Sequence, residues 1–270
     1  MVKLIVCDTD NTSVPKHKMP SERPLACIHE FEKRGILFGL ASGRDTESLR
    51  DLAKKWGIHC DLLIGNNGGE IQDEITLEHD VLPKLTRDDL KEIFEIMSPF
   101  KDRVNTSMDI NGVRYIRRLD ENSIASYKYW NNGKLPEVVK DESMFWSEEA
   151  YKVGFRTPAE IMKDVEAEVS KHPSDRFKGF KTEFTMFEFA PTAADKGKML
   201  IRFCKAHNID IKDSVAFGDM SNDVSLLLAA GKGVCLENGS VDAKEAADEI
   251  TELSIEDDGF ADYVEKNILK

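Results

Sequence analysis

Two aspartates separated by one residue, Asp8 and Asp10, follow directly on an apolar run at residues 4–7. A short continuous apolar run is typical of a buried parallel strand, and open α/β sheets bind ligands at the carboxyl ends of such strands. The spacing allows Asp8 to attack a reacting group while Asp10 reaches the same group from another side, with the Thr12 hydroxyl available to steady the loop. The pattern alone is equally typical of a solvated turn.

Three further sets of polar residues occupy comparable positions. Ser42 ends a second apolar run, Lys196 begins a helical pattern, and Asp219 ends another apolar run and is followed by Asn222 and Asp223. Each has an ordinary structural explanation, as a helix cap, a solvated lysine or carboxylates at a helix N-terminus. Phosphoryl transfer requires all of them together: a carboxylate nucleophile, a hydroxyl and an ammonium for the phosphoryl oxygens, and carboxylates that hold a hard cation such as Mg²⁺.

An alternation of strands and helices must bring these residues to one edge of a sheet. Such alternation is typical of a parallel sheet covered by helices. We therefore predict an α/β fold with a Rossmann-like parallel-sheet core formed by residues 1–81 and 191–270. The predicted core strands are 4–7, 36–41, 62–64, 215–217 and 233–236, and the predicted core helices carry apolar residues within 25–31, 49–56, 199–204, 226–228, 241–247 and 260–268.

Residues 82–190 interrupt the alternation with a different pattern. Thr86 and Asp89 have the spacing of a capping box, and Asn111-Gly112 between two strand-like segments is a strong hairpin signal. Because hairpins imply antiparallel pairing, we predict that residues 82–190 form an inserted α+β domain. Its other predicted elements are a polar helix at 123–130, a strand at 151–156, a helix capped at Thr157 and strands within 177–189.

Composition narrows the class of partner. The chain of 270 residues has 37 basic and 50 acidic residues, a formal net charge of −13, which argues against a general nucleic-acid binder. No apolar stretch reaches membrane-spanning length and no signal peptide precedes the first strand, so we expect a cytoplasmic protein without membrane contact. The five scattered cysteines form no metal or redox motif, so we expect buried, reduced thiols.

In this order and spacing the motifs resemble those of the haloacid dehalogenase superfamily, and within it the Cof-type (class IIB) phosphatases, which carry a large cap between the second and third motifs. Asn11 stands where the family usually has Gly, and we expect the turn to be kept because Asn tolerates left-handed backbone angles. The matching segments are Asp8-Thr9-Asp10-Asn11-Thr12, Leu40-Ala41-Ser42-Gly43-Arg44, Gly65-Asn66-Asn67-Gly68, Lys196 and Gly218-Asp219-Met220-Ser221-Asn222-Asp223.

The resemblance implies an Mg²⁺-dependent phosphatase that acts on a small phosphorylated metabolite, with a sugar phosphate as the expected class. It also implies that the α+β insert of residues 82–190 is a cap domain that selects the substrate. It implies that Asp8 is the nucleophile that carries an aspartyl phosphate, and that Asp10 is the general acid and base. The groups implied to bind the phosphoryl group are Ser42, Gly43, Lys196 and Asn222, and those implied to hold Mg²⁺ are Asp8, the backbone carbonyl of Asp10, Asp219 and Asp223.

Two alternatives stay open. A phosphomutase of the same superfamily would use the same residues, return the phosphoryl group to a sugar and need a bisphosphate activator. A non-catalytic regulatory module that binds phosphate also surrounds Mg²⁺ with strand-end carboxylates, a hydroxyl and a lysine, but such modules are about half this length and have no room for a cap. Cations of the insert either hold a second anionic group or, as we expect, are solvated: Arg114, Arg117, Arg118, Arg156 and Lys181.

Overall fold

The chain divides into two compact units. The computed structural model describes residues 1–15, 18–121, 123–124 and 135–270. We call Met1–Leu82 together with Ala194–Lys270 the core unit, and Pro83–Ala193 the insert. The insert ends at Ala193 rather than at residue 190, because its last strand continues to Pro191 and the Thr192 backbone N–H donates to the carbonyl of Arg176.

Eight strands of the core unit form one sheet. With strands and helices numbered in chain order, they are β1 (Leu4–Asp8), β2 (Leu37–Ala41), β3 (Leu62–Gly65), β4 (Glu70–Asp73), β5 (His79–Val81), β12 (Ser214–Gly218), β13 (Lys232–Cys235) and β14 (Glu249–Ile250). Their order across the sheet is β14-β13-β12-β1-β2-β3-β4-β5. Pairing is parallel from β14 through β3, which confirms the predicted α/β fold with a parallel-sheet core.

Helices cover both faces of this sheet, and β1 shows why its sequence is a continuous apolar run. Ile5 and Cys7 pack into one apolar cluster, which contains Phe31 of α1 (Glu22–Lys33) and Leu49 of α2 (Thr46–Trp56). Leu4 and Val6 pack into another cluster, which contains Leu200 of α5 (Lys196–Ala206). Alternate residues of a strand point to opposite faces, so a strand that is buried on both faces needs apolar residues at every position. The helices of the core unit are α1 (Glu22–Lys33), α2 (Thr46–Trp56), α5 (Lys196–Ala206), α6 (Val224–Ala229), α7 (Val241–Ala246) and α8 (Gly259–Asn267).

The β4–β5 hairpin and the short edge strand β14 were not predicted. β4 pairs antiparallel with both β3 and β5, so the sheet is not wholly parallel. The sequence of β4, Glu-Ile-Gln-Asp, has no apolar run, yet all four of its residues are buried. Its polar side chains are buried because they form hydrogen bonds with neighbouring loops, and a hydrophobic pattern does not report such bonds.

The described residues of the insert form a second, mainly antiparallel sheet of six strands. Across the sheet the strands lie in the order β10 (Phe177–Glu183), β11 (Met186–Pro191), β9 (Val153–Arg156), β6 (Asn105–Ile110), β7 (Val113–Ile116) and β8 (Glu137–Val138). One face packs on an apolar cluster that includes Phe94, Phe145, Phe155 and Phe189. The elements of the insert are β6 (Asn105–Ile110), β7 (Val113–Ile116), β8 (Glu137–Val138), β9 (Val153–Arg156), β10 (Phe177–Glu183), β11 (Met186–Pro191), α3 (Arg87–Ile96) and α4 (Met162–Val169).

Two local predictions for the insert are confirmed and one is wrong. Thr86 and Asp89 form the capping box at the start of α3, and Asn111 and Gly112 both adopt left-handed angles in the β6–β7 hairpin. Thr157 does not cap a helix: its hydroxyl donates to the carbonyl of Phe155, and a 3-10 turn precedes α4, which begins at Met162. Most of the predicted helix at 123–130 lies outside the described residues.

Two expectations from composition can be compared with the structure. All five cysteines are free and buried, as predicted. Within the ranges that the structure describes, no helix is long and apolar enough to span a membrane.

Gly197 provides a test of how closely α5 packs on α6. A β-carbon at Gly197 would collide with the carbonyl oxygen of Ser225. Alanine normally stabilises a helix over glycine by roughly 0.5–1 kcal/mol, but here the forced backbone shift should reverse the sign. We expect Gly197→Ala to lower the free energy of unfolding by about 1–3 kcal/mol in a denaturant titration. Lys198→Ala, on the exposed side of the same helix, is the control and should change it by less than about 0.5 kcal/mol. A stabilised Gly197→Ala variant would contradict this packing.

Candidate active site

Three neighbouring parallel strands place polar residues at one edge of the core sheet. Asp8 is the last residue of β1, Ser42 follows β2 directly, and Asp219 follows β12 directly. β1 pairs with both of the other strands, so their carboxyl ends lie side by side. All three residues are buried. The fold therefore brings together the residues that the spacing of the motifs singled out.

The side chain of Lys196, the first residue of α5, lies next to this group. Its ammonium lies 2.6 Å from Oδ1 of Asp8 and 2.6 Å from Oδ1 of Asp223, and its side chain is fully buried. Burial alone would lower the pKa of Lys196, but the carboxylates of Asp223 and Asp8 raise it above its ordinary value, so the ammonium remains charged. The ordinary explanation of Lys196 as a solvated lysine is wrong.

The carboxylates of Asp8, Asp219 and Asp223 form a buried cluster, with ligand oxygens within 4.8 Å of one another. Burial, and then the charge of Asp223, raise the pKa of Asp8 to about 8, although Lys196 counteracts them. Burial, and then the charges of Asp8 and Asp223, raise the pKa of Asp219 well above its ordinary value. Three carboxylates face one ammonium, an excess of two negative charges when all are ionised. A divalent cation with oxygen ligands fits this group in charge and chemistry.

Asp223 occupies a special place in the cluster because both of its oxygens accept hydrogen bonds from the protein. Oδ1 accepts from Lys196, and Oδ2 accepts from the backbone N–H groups of Asp219 (3.1 Å) and Met220 (3.2 Å). Asp223 thus ties the ammonium of Lys196 to the segment that carries Asp219.

The loop after β1 is held by contacts from distant segments. Asn11 has a φ of 63°, so it adopts the left-handed conformation expected where the family usually has Gly. Its carbonyl accepts a hydrogen bond from the side chain of Asn238. Thr12 donates to Oδ1 of Asp219 at 2.7 Å, so the hydroxyl that was expected to steady the loop also fixes one carboxylate of the cluster.

Asp10 does not join the carboxylate cluster through its side chain. It forms an ion pair with Arg44 (Nη2 to Oδ1, 3.3 Å), and its Oδ2 accepts from the Thr9 hydroxyl at 3.3 Å. The role of Arg44 was not predicted from the sequence, although its place directly after Ser42 and Gly43 was a usable signal. The side chain of Asp10 is 26% exposed, in contrast to the buried side chain of Asp8.

Ser42 is positioned by contacts other than a helix cap. Its hydroxyl lies within hydrogen-bond distance of the Thr9 hydroxyl (2.8 Å) and accepts from the backbone N–H of Arg44 (3.4 Å). The following helix α2 is capped by Asp45, which accepts from the backbone N–H of Ser48. The explanation of Ser42 as an N-cap is therefore wrong.

Asn222 lies in a 3-10 turn formed by Ser221–Asp223. Its Nδ2 donates to Oδ1 of Asn67 at 3.1 Å, while its own Oδ1 is buried and has no hydrogen-bond partner within the part of the chain that the structure describes. In the sequence the Asn67 turn is recognisable only as a family feature, because a contact between positions 155 residues apart leaves no local signal.

Comparisons with known proteins agree with this fold. A model of the haloacid dehalogenase-like hydrolase family matches residues 5–264. The 5-amino-6-(5-phospho-D-ribitylamino)uracil phosphatase YcsE of Bacillus subtilis is 27% identical over 258 residues, which cover 95% of this chain and 92% of the relative.

Two solved structures show the same fold. A haloacid dehalogenase-like hydrolase from Bacteroides thetaiotaomicron has a TM-score of 0.76 at 24% identity and covers 98% of this chain and 99% of its own. A sugar phosphatase of subclass IIB has a TM-score of 0.77 at 17% identity, with 98% of each chain covered. The solved structures agree in fold, and the family match over nearly the whole chain gives the conclusion: the chain belongs to the haloacid dehalogenase-like hydrolases, in their Cof-type branch.

Proposed function

We propose that the chain is an Mg²⁺-dependent phosphatase that hydrolyses a small phosphorylated metabolite, with a sugar phosphate as the preferred class, through an aspartyl phosphate on Asp8. The observation that carries the proposal is the buried cluster of Asp8, Asp219 and Asp223 around the ammonium of Lys196. Burying three like charges is costly, so a cluster of this kind is typical of a functional site rather than of a stabilising network.

In the first step an oxygen of Asp8 attacks phosphorus and the bond from phosphorus to the leaving oxygen breaks. Asp10 donates its proton to that leaving oxygen. In the second step Asp10 takes a proton from water, whose oxygen attacks the phosphorus of the aspartyl phosphate, and inorganic phosphate leaves with Asp8 restored. The partial exposure of the Asp10 side chain suits a group that must meet both the leaving group and water.

The other residues of the site compensate negative charge. Lys196, 2.6 Å from Asp8, is placed to neutralise both the nucleophile and the oxygens of the phosphoryl group, and Ser42 and Asn222 contribute a hydroxyl and an amide. When bound by Asp8, Asp219 and Asp223, Mg²⁺ would supply two positive charges that screen the nucleophile from the phosphate. Without such charge Asp8, with a pKa of about 8, would be largely protonated at neutral pH and a poor nucleophile.

We also propose a cytoplasmic location, on the evidence of the thiols. Burial raises the pKa of Cys204 to about 11 and that of Cys235 to about 12, so these sulfurs stay protonated and unreactive. Buried, unpaired thiols of this kind are typical of proteins in a reducing compartment.

The insert is proposed to select the substrate through residues other than Arg114, Arg117 and Lys181. Arg114 forms an ion pair with Asp109, and Arg117 with Glu142, so both are engaged within the insert. Lys181 is likewise paired, with Glu166 at 2.9 Å.

The face of the insert sheet opposite the aromatic cluster is polar at its centre. Gly154 lies on the central strand β9, between Val153 and Phe155 of the cluster, so it belongs to the other face. A β-carbon there would contact Ser107 Oγ at 3.6 Å and Glu188 Oε1 at 3.7 Å, and Lys152 donates to the same Glu188 oxygen at 2.8 Å. A hydroxyl, a carboxylate and an ammonium thus lie near this glycine, beside the Met186 sulfur, which such a β-carbon would meet at 3.4 Å. Polar groups of these kinds suit the hydroxyl groups of a sugar, which makes this face the part of the insert that we propose for substrate selection.

Trapping the phosphoryl group tests the roles of the two aspartates. With an aryl phosphate, which needs little leaving-group protonation, Asp10→Asn should still form the aspartyl phosphate but hydrolyse it about a hundred- to ten-thousand-fold more slowly. Asp8→Asn should form no covalent species. Mass spectrometry should find phosphate on the peptide that contains Asp8 only in the Asp10 variant. Phosphate on any other residue would overturn the mechanism, and a need for a bisphosphate activator would indicate a phosphomutase.

Substitution of Gly154 tests the role of the insert. The β-carbon of Gly154→Ala meets its neighbours at 3.4 Å or more, so the fold should survive while the polar face of the insert sheet is altered. We expect KM to rise about tenfold for the preferred sugar phosphate and to stay unchanged for a small aryl phosphate, as a steady-state substrate panel would measure. Arg114→Ala is the control and should leave the substrate ranking unchanged. An unchanged ranking in Gly154→Ala would remove this face from the proposal.

A further inference from the structure

We infer that the left-handed turn Asn66–Gly68 positions the groups that bind the phosphoryl group, and that Asn67 is its central positioning residue. The inference rests on the proposed function, because it takes Ser42, Lys196 and Asn222 as the residues that hold phosphate. Its basis is that this one turn contacts all three segments that carry them.

The backbone of the turn is unusual. Asn66, Asn67 and Gly68 follow β3 with φ values of 49°, 56° and 92°, so three consecutive residues adopt left-handed angles. Residues other than Gly rarely adopt this conformation, and it persists where surrounding contacts enforce it. β3 is parallel to β2, so the turn lies at the same edge of the sheet as Ser42.

Backbone hydrogen bonds join the turn to the segment that carries Ser42. The N–H of Asn67 donates to the carbonyl of Ser42 at 2.9 Å, and the N–H of Asn66 donates to the carbonyl of Arg44 at 2.7 Å. The buried carboxylate of Glu70 closes the connection: it accepts from the side chain of Asn66 at 2.8 Å and from the backbone N–H and hydroxyl of Thr46 at 3.1 Å each.

The same turn contacts the start of α5. A β-carbon at Gly68 would collide with the backbone of Asp195, the N-cap residue of α5, which directly precedes Lys196. Gly68 therefore permits a backbone-to-backbone approach that a side chain would prevent.

The third contact is the hydrogen bond from Asn222 Nδ2 to Asn67 Oδ1, at 3.1 Å. Asn67 thereby fixes the orientation of the Asn222 amide, whose Oδ1 is buried with no partner among the described residues. The buried, unpaired Oδ1 disfavours this orientation of the Asn222 amide. A specific contact must therefore hold the amide until a ligand or water donates a hydrogen bond to Oδ1. Asn67 is thus bonded to the Ser42 segment through its backbone and to Asn222 through its side chain.

Asn67→Gly tests this role because glycine keeps the left-handed backbone and the N–H bond to Ser42 while it removes the acceptor for Asn222. We expect KM for p-nitrophenyl phosphate and the inhibition constant of inorganic phosphate to rise about tenfold, with kcat changed less and the melting temperature nearly unchanged. The control is Asn208→Gly, since Asn208 is an exposed asparagine with a φ of 53° at the end of α5, and it should change neither constant.

A double-mutant cycle with Asn222→Ala shows whether Asn67 acts through Asn222. If it does, Asn67→Gly should have little further effect on KM once Asn222 is alanine. Independent, multiplicative effects would overturn the inference, as would an Asn67→Gly variant that loses thermal stability but keeps its KM and phosphate inhibition. Wild-type protein that hydrolyses no phosphate ester would overturn the proposed function itself, which is a different outcome from an active wild type with an unaffected Asn67 variant.

Discussion

The site depends on the burial of three carboxylates with a single ammonium at the end of β1. Lys196 bridges Asp8 and Asp223 at 2.6 Å each, and Asp219 is held beside them by Thr12. Burial, and then the charges of the neighbouring carboxylates, raise the pKa of Asp8 and Asp219, so the protein alone does not balance the cluster. In the proposed function a bound divalent cation would remove this imbalance, and a phosphoryl group would then meet a site of nearly neutral charge. Charge balance would thus link the metal, the proposed nucleophile and the anionic substrate.

The fold makes this burial of charge possible because each residue of the cluster lies at the end of a strand or at the start of a helix. β1, β2 and β12 are adjacent and parallel, so Asp8, Ser42 and Asp219 emerge side by side without any long loop. Lys196 is fixed because α5 packs tightly on α6 through Gly197 and approaches the Asn66–Gly68 turn through Asp195. Flexible loops would not hold a buried ammonium against two carboxylates with this accuracy, since ordering them would cost conformational entropy.

The sequence allowed prediction of those parts of the structure whose signals are local or periodic. Three features were predictable because their signals lie within a few residues of one another: the apolar run of β1, the Thr86–Asp89 capping box and the Asn111-Gly112 hairpin. β4 escaped prediction because its buried polar residues are stabilised by hydrogen bonds, as between Glu70 and Thr46. The ion pair of Arg44 with Asp10 and the hydrogen bond from Asn222 to Asn67 were also not predicted, because both depend on tertiary contacts. The resemblance to a family named candidate residues for the site, but not the contacts that hold them.

The most direct test of the charge-balance account is the stability of wild-type protein and of Asp219→Asn, each with and without Mg²⁺, measured by denaturant unfolding at neutral pH. The amide of Asp219→Asn cannot ionise, so folding of the variant no longer has to neutralise or bury a carboxylate charge, and the amide oxygen keeps an acceptor for Thr12. Without metal, Asp219→Asn should therefore be more stable than the wild type. Mg²⁺ at about a hundred times its dissociation constant should stabilise the wild type by about 2.7 kcal/mol and the variant far less. An equal Mg²⁺ increment in both proteins, or a variant less stable than metal-free wild type, would contradict the charge-balance account.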